Sequence, residues 1–359
     1  LYGERLLDGG AGGLLELAEA LGLAATAGAG LIGIPDAANG RGLREAGAAA
    51  GVGPGLAQAP AGLDTPAIAA ALASGELTAV YLLGVDPLHE LPDRAAWEQA
   101  LEHASTVIAH AAFLTDGLRE HATVIFPAEA AAEKEGTVTH PDGRLQRLRP
   151  AIARQGAVRS EWWILAELAA RLGGERAIAN GAMASAALFD AVGFYAGLTL
   201  EELAGRGVRW PPREQAAALP APSSRIETRP PRPLSRVDAR ALRAGSYRSI
   251  WASREVAASP ALAFLHPSQR VEVSPAAAHR LGLRDGVEML VADESGAGVR
   301  ARVALRDAVP DGSAFLQHAI AADSANLLRG ETVEIVPIPE PVEPPPPPEE
   351  EASVEEALV

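Results

Sequence analysis

Apolar positions follow two rhythms along this chain of 359 residues. In the first part, short apolar runs alternate with stretches of helical spacing, a pattern that predicts a mostly parallel sheet with helices on its faces. The clearest unit reads strand Ala79 to Val85, helix Asp93 to His103, strand Ser105 to Ala111, helix Thr115 to His121 and strand Thr123 to Phe126. Asp93 and Thr115 are side chains that accept from the free amides of a first helical turn, so they mark both starts. Parallel strands joined by right-handed crossovers follow from this order.

The rhythm breaks after residue 199. Residues 200–240 carry Pro211, Pro212, Pro220, Pro222 and a Pro230 to Pro233 cluster, which predicts a linker or an extended wrapping segment. Over 241–336 the period changes to two. Ser246 to Ala252, Arg270 to Ser274, Val287 to Asp293, Val299 to Leu305 and Ser313 to Gln317 read as strands of a compact barrel. Between them Ser274 and Pro275 open a short helix that ends at Leu281 and Gly282. Residues 337–359, with five consecutive prolines and an acidic run, are expected to be extended and disordered, or to pack only on a partner.

The most informative stretch is Thr123 to Pro150. A strand is followed by the carboxylates Glu129, Glu133 and Glu135, then Gly136 and Thr137, then two β-segments meeting at Pro141, Asp142 and Gly143. Proline presets φ and glycine accepts positive φ, so the triplet predicts a hairpin beside the strand's carboxyl end, where open sheets bind ligands. The carboxylates could form an acid–base pair. A solvated turn with Lys134 alongside is the favoured reading.

Composition narrows the chemistry. A formal charge of −15 argues against nucleic acid as a partner. The absence of cysteine excludes, within these residues, a thiolate-held iron–sulfur cluster, a cysteine zinc site and a cysteine nucleophile. The eight histidines form no HExxH pattern, and no GxSxG elbow occurs. Gly9 to Gly13 precedes a helix but lacks the glycine spacing of a dinucleotide loop and reads as a plain loop. No signal-peptide pattern and no apolar run of membrane-span length is present. The chain opens on Leu1 in what looks like a strand, so an upstream portion is expected.

Pro127, Glu133, Glu135, Gly136, Thr137, Gly143, Arg144 and Gln146, followed by the helix EWWILAELAARLG from Glu161, resemble one stretch of the molybdopterin oxidoreductase superfamily. His140 stands where that family usually has Asn, which removes an amide able to donate and accept at once. Pro275, Ala278, Leu281, Gly282, Leu283, Asp285, Gly286, Pro310, Gly312, Asn326 and Leu328 resemble the family's C-terminal double-psi β-barrel. The resemblance implies an α/β domain over 1–199 and a molybdopterin-dinucleotide-binding-like barrel over 241–336. Gly136, Thr137, Arg144 and Asn326 are then the candidate contacts for a cofactor, occupied or vestigial; hydrogen bonds tying the barrel to the α/β layer are the structural alternative for Arg144 and Asn326. No catalytic residue and no metal ligand is assigned.

Within the superfamily, IPDAANGRGLREAG from Ile34 resembles the large-subunit family of bacterial NADH-quinone oxidoreductases, the respiratory complex I enzymes. That likeness implies a cofactor-free, non-catalytic body whose upstream part carries iron–sulfur clusters. Its partners would be the other subunits of the peripheral arm, at the cytoplasmic face of the cell membrane. Two alternatives stand beside it: the C-terminal half of a working molybdopterin enzyme of the formate dehydrogenase or nitrate reductase kind, and a scaffold unrelated to respiration.

Overall fold

A computed structural model describes residues 1–3, 12–35, 37–174, 178–221, 238–320 and 322–339. Gly9, Gly10 and Ala11 of the glycine loop, the Pro230 to Pro233 cluster and the tail from Glu340 lie outside these described residues. The chain divides into two units, one of residues 1–236 with 257–263 and one of residues 237–256 with 264–359.

In the first unit β1 (Tyr2–Gly3) pairs in parallel with β2 (Gly33–Ile34), and α1 (Gly12–Ala20) and α2 (Gly40–Glu45) lie in the same stretch. The repeating part follows as α3 (Thr65–Ala73), β3 (Ala79–Leu83), α4 (Pro87–Glu90), α5 (Arg94–His103), β4 (Thr106–Ala111), α6 (Asp116–His121) and β5 (Val124–Pro127). β3, β4 and β5 form a parallel sheet in that order, with Leu82 opposite Ala109 and Ala109 opposite Ile125. The expected caps are in place: Asp93 accepts from the Ala96 amide at 3.2 Å and Thr115 from the Leu118 amide at 3.4 Å. Each such cap is worth about 1 kcal/mol. Leu82, Val107, Ala109 and Ala111 point to one face and pack with Leu72, Leu88, Trp97, Leu101 and Leu118 of the four helices. Successive strand residues alternate faces, so Tyr81, Ile108 and His110 turn the other way.

The hairpin forms where the turn signal places it. β6 (Gly136–Thr139) runs antiparallel to β7 (Arg144–Leu148), and β8 (Val208–Arg209) adds a third strand beside β7. The helices α7 (Glu161–Arg171) and α8 (Gly181–Ala191) follow the hairpin, and a core of Leu145, Phe189, Phe194, Tyr195, Leu203 and Trp210 packs beneath it.

The second unit is a closed barrel. Its strands are β9 (Leu242–Tyr247), β10 (Arg270–Val273), β11 (Glu288–Asp293), β12 (Gly298–Leu305), β13 (Ser313–Gln317) and β14 (Thr332–Val336), closing in the order β10-β12-β11-β14-β9-β13. The pairs β10 with β12 and β9 with β13 are parallel and the other pairs antiparallel. α9 (Arg254–Ala258) follows β9, and α10 (Pro275–Leu281) starts at Ser274, whose hydroxyl accepts from the Ala277 amide at 3.0 Å. Gly282 ends α10 at φ 69°, the left-handed cap expected of glycine.

One expected strand is displaced. Ser246 to Ala252 is not a strand throughout: β9 ends at Tyr247, Ile250–Ala252 is a 3₁₀ turn, and the Ser249 hydroxyl accepts from the Trp251 amide at 3.2 Å. Parallel pairing with β13, from Arg243 opposite Ser313 to Tyr247 opposite Gln317, fixes the register. Gly245 makes that pairing fit, because a Cβ there would stand 2.5 Å from the Phe315 ring. Gly245→Ala is therefore expected to cost about 1–3 kcal/mol through overpacking, read as a lowered melting temperature.

Candidate functional site

One face of the β3-β4-β5 sheet carries buried polar groups that the fold leaves unsatisfied. His110 is fully buried against Phe126, the two rings meeting edge to face at 6.2 Å. Neither ring nitrogen makes a well-formed hydrogen bond, although the Arg159 backbone is near enough to act on the ring. Burial lowers its pKa and Lys134 adds to the shift, while Glu161, Glu129 and the Arg159 backbone oppose it. The ring is thus held neutral, with one nitrogen able to donate and the other to accept. The Tyr81 hydroxyl is also buried without a partner, and burial, then Glu161, push its pKa up. The Trp162 indole N–H shares that condition. Beside them Lys134 and Glu161 form an ion pair at 2.6 Å. A buried donor or acceptor left unmade costs about 1–3 kcal/mol, so three in one region point to a polar ligand.

Two of the three carboxylates after β5 are not solvated, whereas Glu135 is exposed. Glu129 is 4% exposed and Glu133 5%. Glu129 takes hydrogen bonds from Arg154 and, at 3.2 Å, from the Ser160 hydroxyl. Glu133 accepts from the Ala130 amide at 2.9 Å and the Gln155 amide at 3.2 Å, and Arg154 also reaches Glu135 at 3.5 Å. Lys134 pairs with Glu161 instead of with its neighbours. Glu129 and Glu133 staple this turn to the segment before α7, Arg154 balancing the buried Glu129 charge and the Gln155 amide bonding Glu133, while Glu135 stays exposed.

A second centre is Glu45 at the end of α2, 2% exposed. Its carboxylate accepts from the Tyr195 hydroxyl, from the Trp210 indole at 3.1 Å and from Arg41 at 2.7 Å. Burial and Glu45 together push the Tyr195 pKa upward, which keeps that hydroxyl a donor. Arg41 also donates to the Pro141 carbonyl of the hairpin turn and lies 5.3 Å from the centre of the Trp210 ring. Asn39 accepts from the Thr139 amide of β6 at 2.8 Å. The NGRGLRE stretch thus grips the hairpin at both its strand and its turn. Arg41, Arg44, Glu45, Leu56, Pro141 and Trp210 line a cleft of about 580 Å³ in this unit.

The four candidate contacts are distributed over both units. Gly136 and Thr137 open β6, opposite Leu148 and Arg147, whereas Arg144 stands at the turn end of the same hairpin, roughly 13 Å along. Gly136 has φ 149° and no atom within 4 Å of where a Cβ would sit, so its backbone faces open space. Arg144 donates to the Arg206 carbonyl at 3.3 Å, within its own unit. Asn326 belongs to the barrel unit, 4% exposed in a 3₁₀ turn. None of the four lines the 580 Å³ cleft. His140 serves the turn: its ring nitrogen lies 2.8 Å from Asp142. Sequence reasoning passed over Tyr81, His110 and Glu45. The first two sit in strands read only as apolar, though a histidine inside such a run is itself a signal.

Two family models match. One, described as molybdopterin oxidoreductase, covers residues 14–171, and the other, described as a molybdopterin dinucleotide binding domain, covers residues 242–339. The chain belongs to the molybdopterin oxidoreductase superfamily. Among the proteins it resembles, the NADPH-Fe(3+) oxidoreductase subunit alpha of Geobacter sulfurreducens is 35% identical over 196 residues, 50% of this chain and 23% of that protein. A nitrate reductase of Klebsiella oxytoca is 38% identical over 118 residues, 33% of this chain and 14% of that protein. The F420-dependent formate dehydrogenase 2 subunit alpha of Methanococcus maripaludis is 32% identical over 137 residues, 37% and 20% of the two chains. The chain thus spans less than a quarter of each of these relatives. Among solved structures, acetylene hydratase from Pelobacter acetylenicus shares the fold, with TM-score 0.56 at 14% identity over 75% of this chain and 43% of that one.

These matches correct one expectation. A body without a cofactor does not agree with two superfamily domains that both point to molybdopterin, one of them described by its binding of the dinucleotide. The residues of the first unit fit such a group: the buried polar atoms of Tyr81, His110 and Trp162 make no well-formed hydrogen bond within the chain, and a heterocycle or phosphate ester offers donors and acceptors for them. Among the described residues no cluster of His, Cys, Asp or Glu could hold a metal ion by itself. No described helix is long and apolar enough to cross a membrane.

Proposed function

We propose that this chain is the cofactor-holding C-terminal part of a molybdopterin-dependent oxidoreductase acting on a small oxyanion or one-carbon acid, with its barrel of the double-psi type. The observation that carries this reading is the pairing of both superfamily domains, in order, with buried and unpartnered polar groups at Tyr81 and His110 on one sheet face and at Trp162 of α7. The names of the nitrate reductase and formate dehydrogenase relatives support the substrate class. When bound, the cofactor supplies a molybdenum centre for two-electron transfer. The chain's own residues bind and orient it: neutral His110 donates at one nitrogen and accepts at the other, Tyr81 donates its hydroxyl, and the open backbone at Gly136 and Thr137 admits a close approach. In this reading Arg144 and Asn326 remain secondary contacts, each within its own unit.

Metal analysis of the complete parent protein tests this. About one molybdenum per chain, with a pterin released on denaturation, is expected; iron without molybdenum would overturn the proposal. That second result is what the large subunit of a respiratory NADH-quinone oxidoreductase predicts, a reading supported by the Ile34 to Gly47 motif. His110→Leu is expected to lower molybdenum occupancy severalfold while leaving the melting temperature unchanged or raised, since it removes two unsatisfied buried nitrogens.

A further inference from the structure

The outer face of the barrel carries a cluster of three arginines that form no close ion pair among the described residues, with Glu288 standing across from Arg302 as the nearest cross-strand acid. Along β12 buried and exposed residues alternate, so Arg300 and Arg302 point outward while Val299, Ala301 and Val303 enter the core. Arg270 of β10 stands directly opposite Arg302, adding a third outward cation. No ion pair joins any of the three guanidinium groups to an acid among the described residues. Arg300 and Arg302 line a hollow of about 230 Å³ with His266, Ser268, Glu288 and Asp323. An Asp323 carboxylate oxygen of that rim accepts from the Arg300 backbone amide at 2.9 Å.

The register of the barrel brings one segment of the chain to this patch. Leu290 of β11 is opposite Arg300 on one side and opposite Val336 of β14 on the other. Val336 therefore lies two strands from Arg300, roughly 10 Å away. β14 runs antiparallel to β11, so the chain beyond Val336 heads toward the level of Glu288 and Arg302. Residues 340–359 contain Glu340, Glu343, Glu349, Glu350, Glu351, Glu355 and Glu356 and no basic residue. Glu340 is four residues past Val336, within about 13 Å of extended chain, and Glu343 within about 23 Å. Both are within chain reach of the patch and precede the run Pro344 to Pro348.

We propose that the acidic segment 340–359 docks in cis on the Arg270, Arg300 and Arg302 face of the barrel. It screens a cationic surface that would otherwise attract other anions, and Glu340 and Glu343 make the first contacts.

Because exposed ion pairs are individually weak and salt-sensitive, the test reads competition instead of stability. A fluorescein-labelled synthetic peptide of residues 340–359 is titrated into three full-length chains at low salt: the natural chain, a variant with all seven tail glutamates changed to glutamine, and that variant carrying also Arg300→Glu and Arg302→Glu. The glutamine variant, its own tail neutralised, is expected to bind the peptide at least tenfold more tightly than the natural chain. Charge reversal is expected to remove that gain at an unchanged melting temperature. Equal binding by the natural chain and the glutamine variant would overturn the proposal, as would binding that survives charge reversal. Concentration-dependent self-association of the natural chain that the glutamine variant lacks would overturn docking in cis and place the tail on a second copy. Displacement of the peptide by micromolar pyrophosphate would identify the patch as a phosphate site instead.

Discussion

Replacing Glu45 with alanine is expected to destabilise the α/β unit by about 3–5 kcal/mol, the range found when one partner of a buried charged network is removed. The change strips acceptors from three donors at once: the Tyr195 hydroxyl, the Trp210 indole at 3.1 Å and Arg41 at 2.7 Å. Tyr195 and Trp210 are 2% and 5% exposed, so water does not replace the lost acceptor. Glu45→Gln keeps the volume and one acceptor oxygen but not the charge, and is expected to cost roughly half as much. In a unit of this size the alanine variant should melt on the order of 10 °C lower. Glu16→Ala, at an exposed position of α1, serves as the control and should stay within about 0.5 kcal/mol. An alanine variant that melts with the natural protein would mean that the hairpin is held by its apolar core alone.

What the sequence reveals and what it hides divide by distance along the chain. The helices starting at Asp93, Thr115 and Ser274 were legible because a cap and the amide it serves lie within three residues. The hairpin at Pro141 to Gly143 was legible for the same reason, as was the left-handed close of α10 at Gly282. Glu129 and Glu133 misled because a run of carboxylates looks solvated until Arg154 and the Gln155 amide arrive from beyond the hairpin. Glu45 sits 150 residues from Tyr195 and 165 from Trp210, so its role has no local trace. β9 was displaced because Arg243, Gly245 and Ser246 blur its alternation, while the partner that sets its register, β13, follows some seventy residues later. The superfamily was legible from motif order, yet the same motifs did not indicate that a cofactor belongs with these domains. Unsatisfied polar atoms on a strand such as β4 emerge only when every partner is placed.

A second such hub decides how the barrel responds to acid. Asp293 ends β11 at 7% exposure and accepts from the Ser295 amide at 2.9 Å, the Ser295 hydroxyl at 2.6 Å and the Ala297 amide at 3.1 Å. Its other oxygen accepts from the amides of Arg329 at 2.6 Å and Gly330 at 2.9 Å, tying the β11–β12 turn to the chain entering β14. The turn half of this arrangement is a local aspartate signal, whereas the half reaching Arg329 needs the closed barrel. Burial alone would raise the Asp293 pKa, but the hydrogen bonds from Ser295, Arg329 and Gly330 outweigh it and hold the value at about 2, against 3.8 when unfolded. A carboxyl depressed in the folded state contributes stability above its unfolded pKa and loses it as pH falls through the folded one. The contribution, about 2 kcal/mol, should thus be complete above about pH 4 and nearly gone at pH 2. Urea unfolding at pH 5, 4, 3 and 2 reads this directly when the natural chain is compared with Asp293→Ala. The difference between the two should shrink as pH falls, because other carboxylates, among them Asp311 beside Arg280 at 2.9 Å, act equally in both. A difference that stays constant from pH 5 to pH 2 would show that Asp293 acts through packing and not through its charge. Asp293→Asn sharpens the choice, since its amide nitrogen would face at least one of the backbone N–H groups that now point at a carboxylate oxygen. It should therefore lose stability at pH 5 nearly as fully as alanine does, although it is almost isosteric with the natural residue.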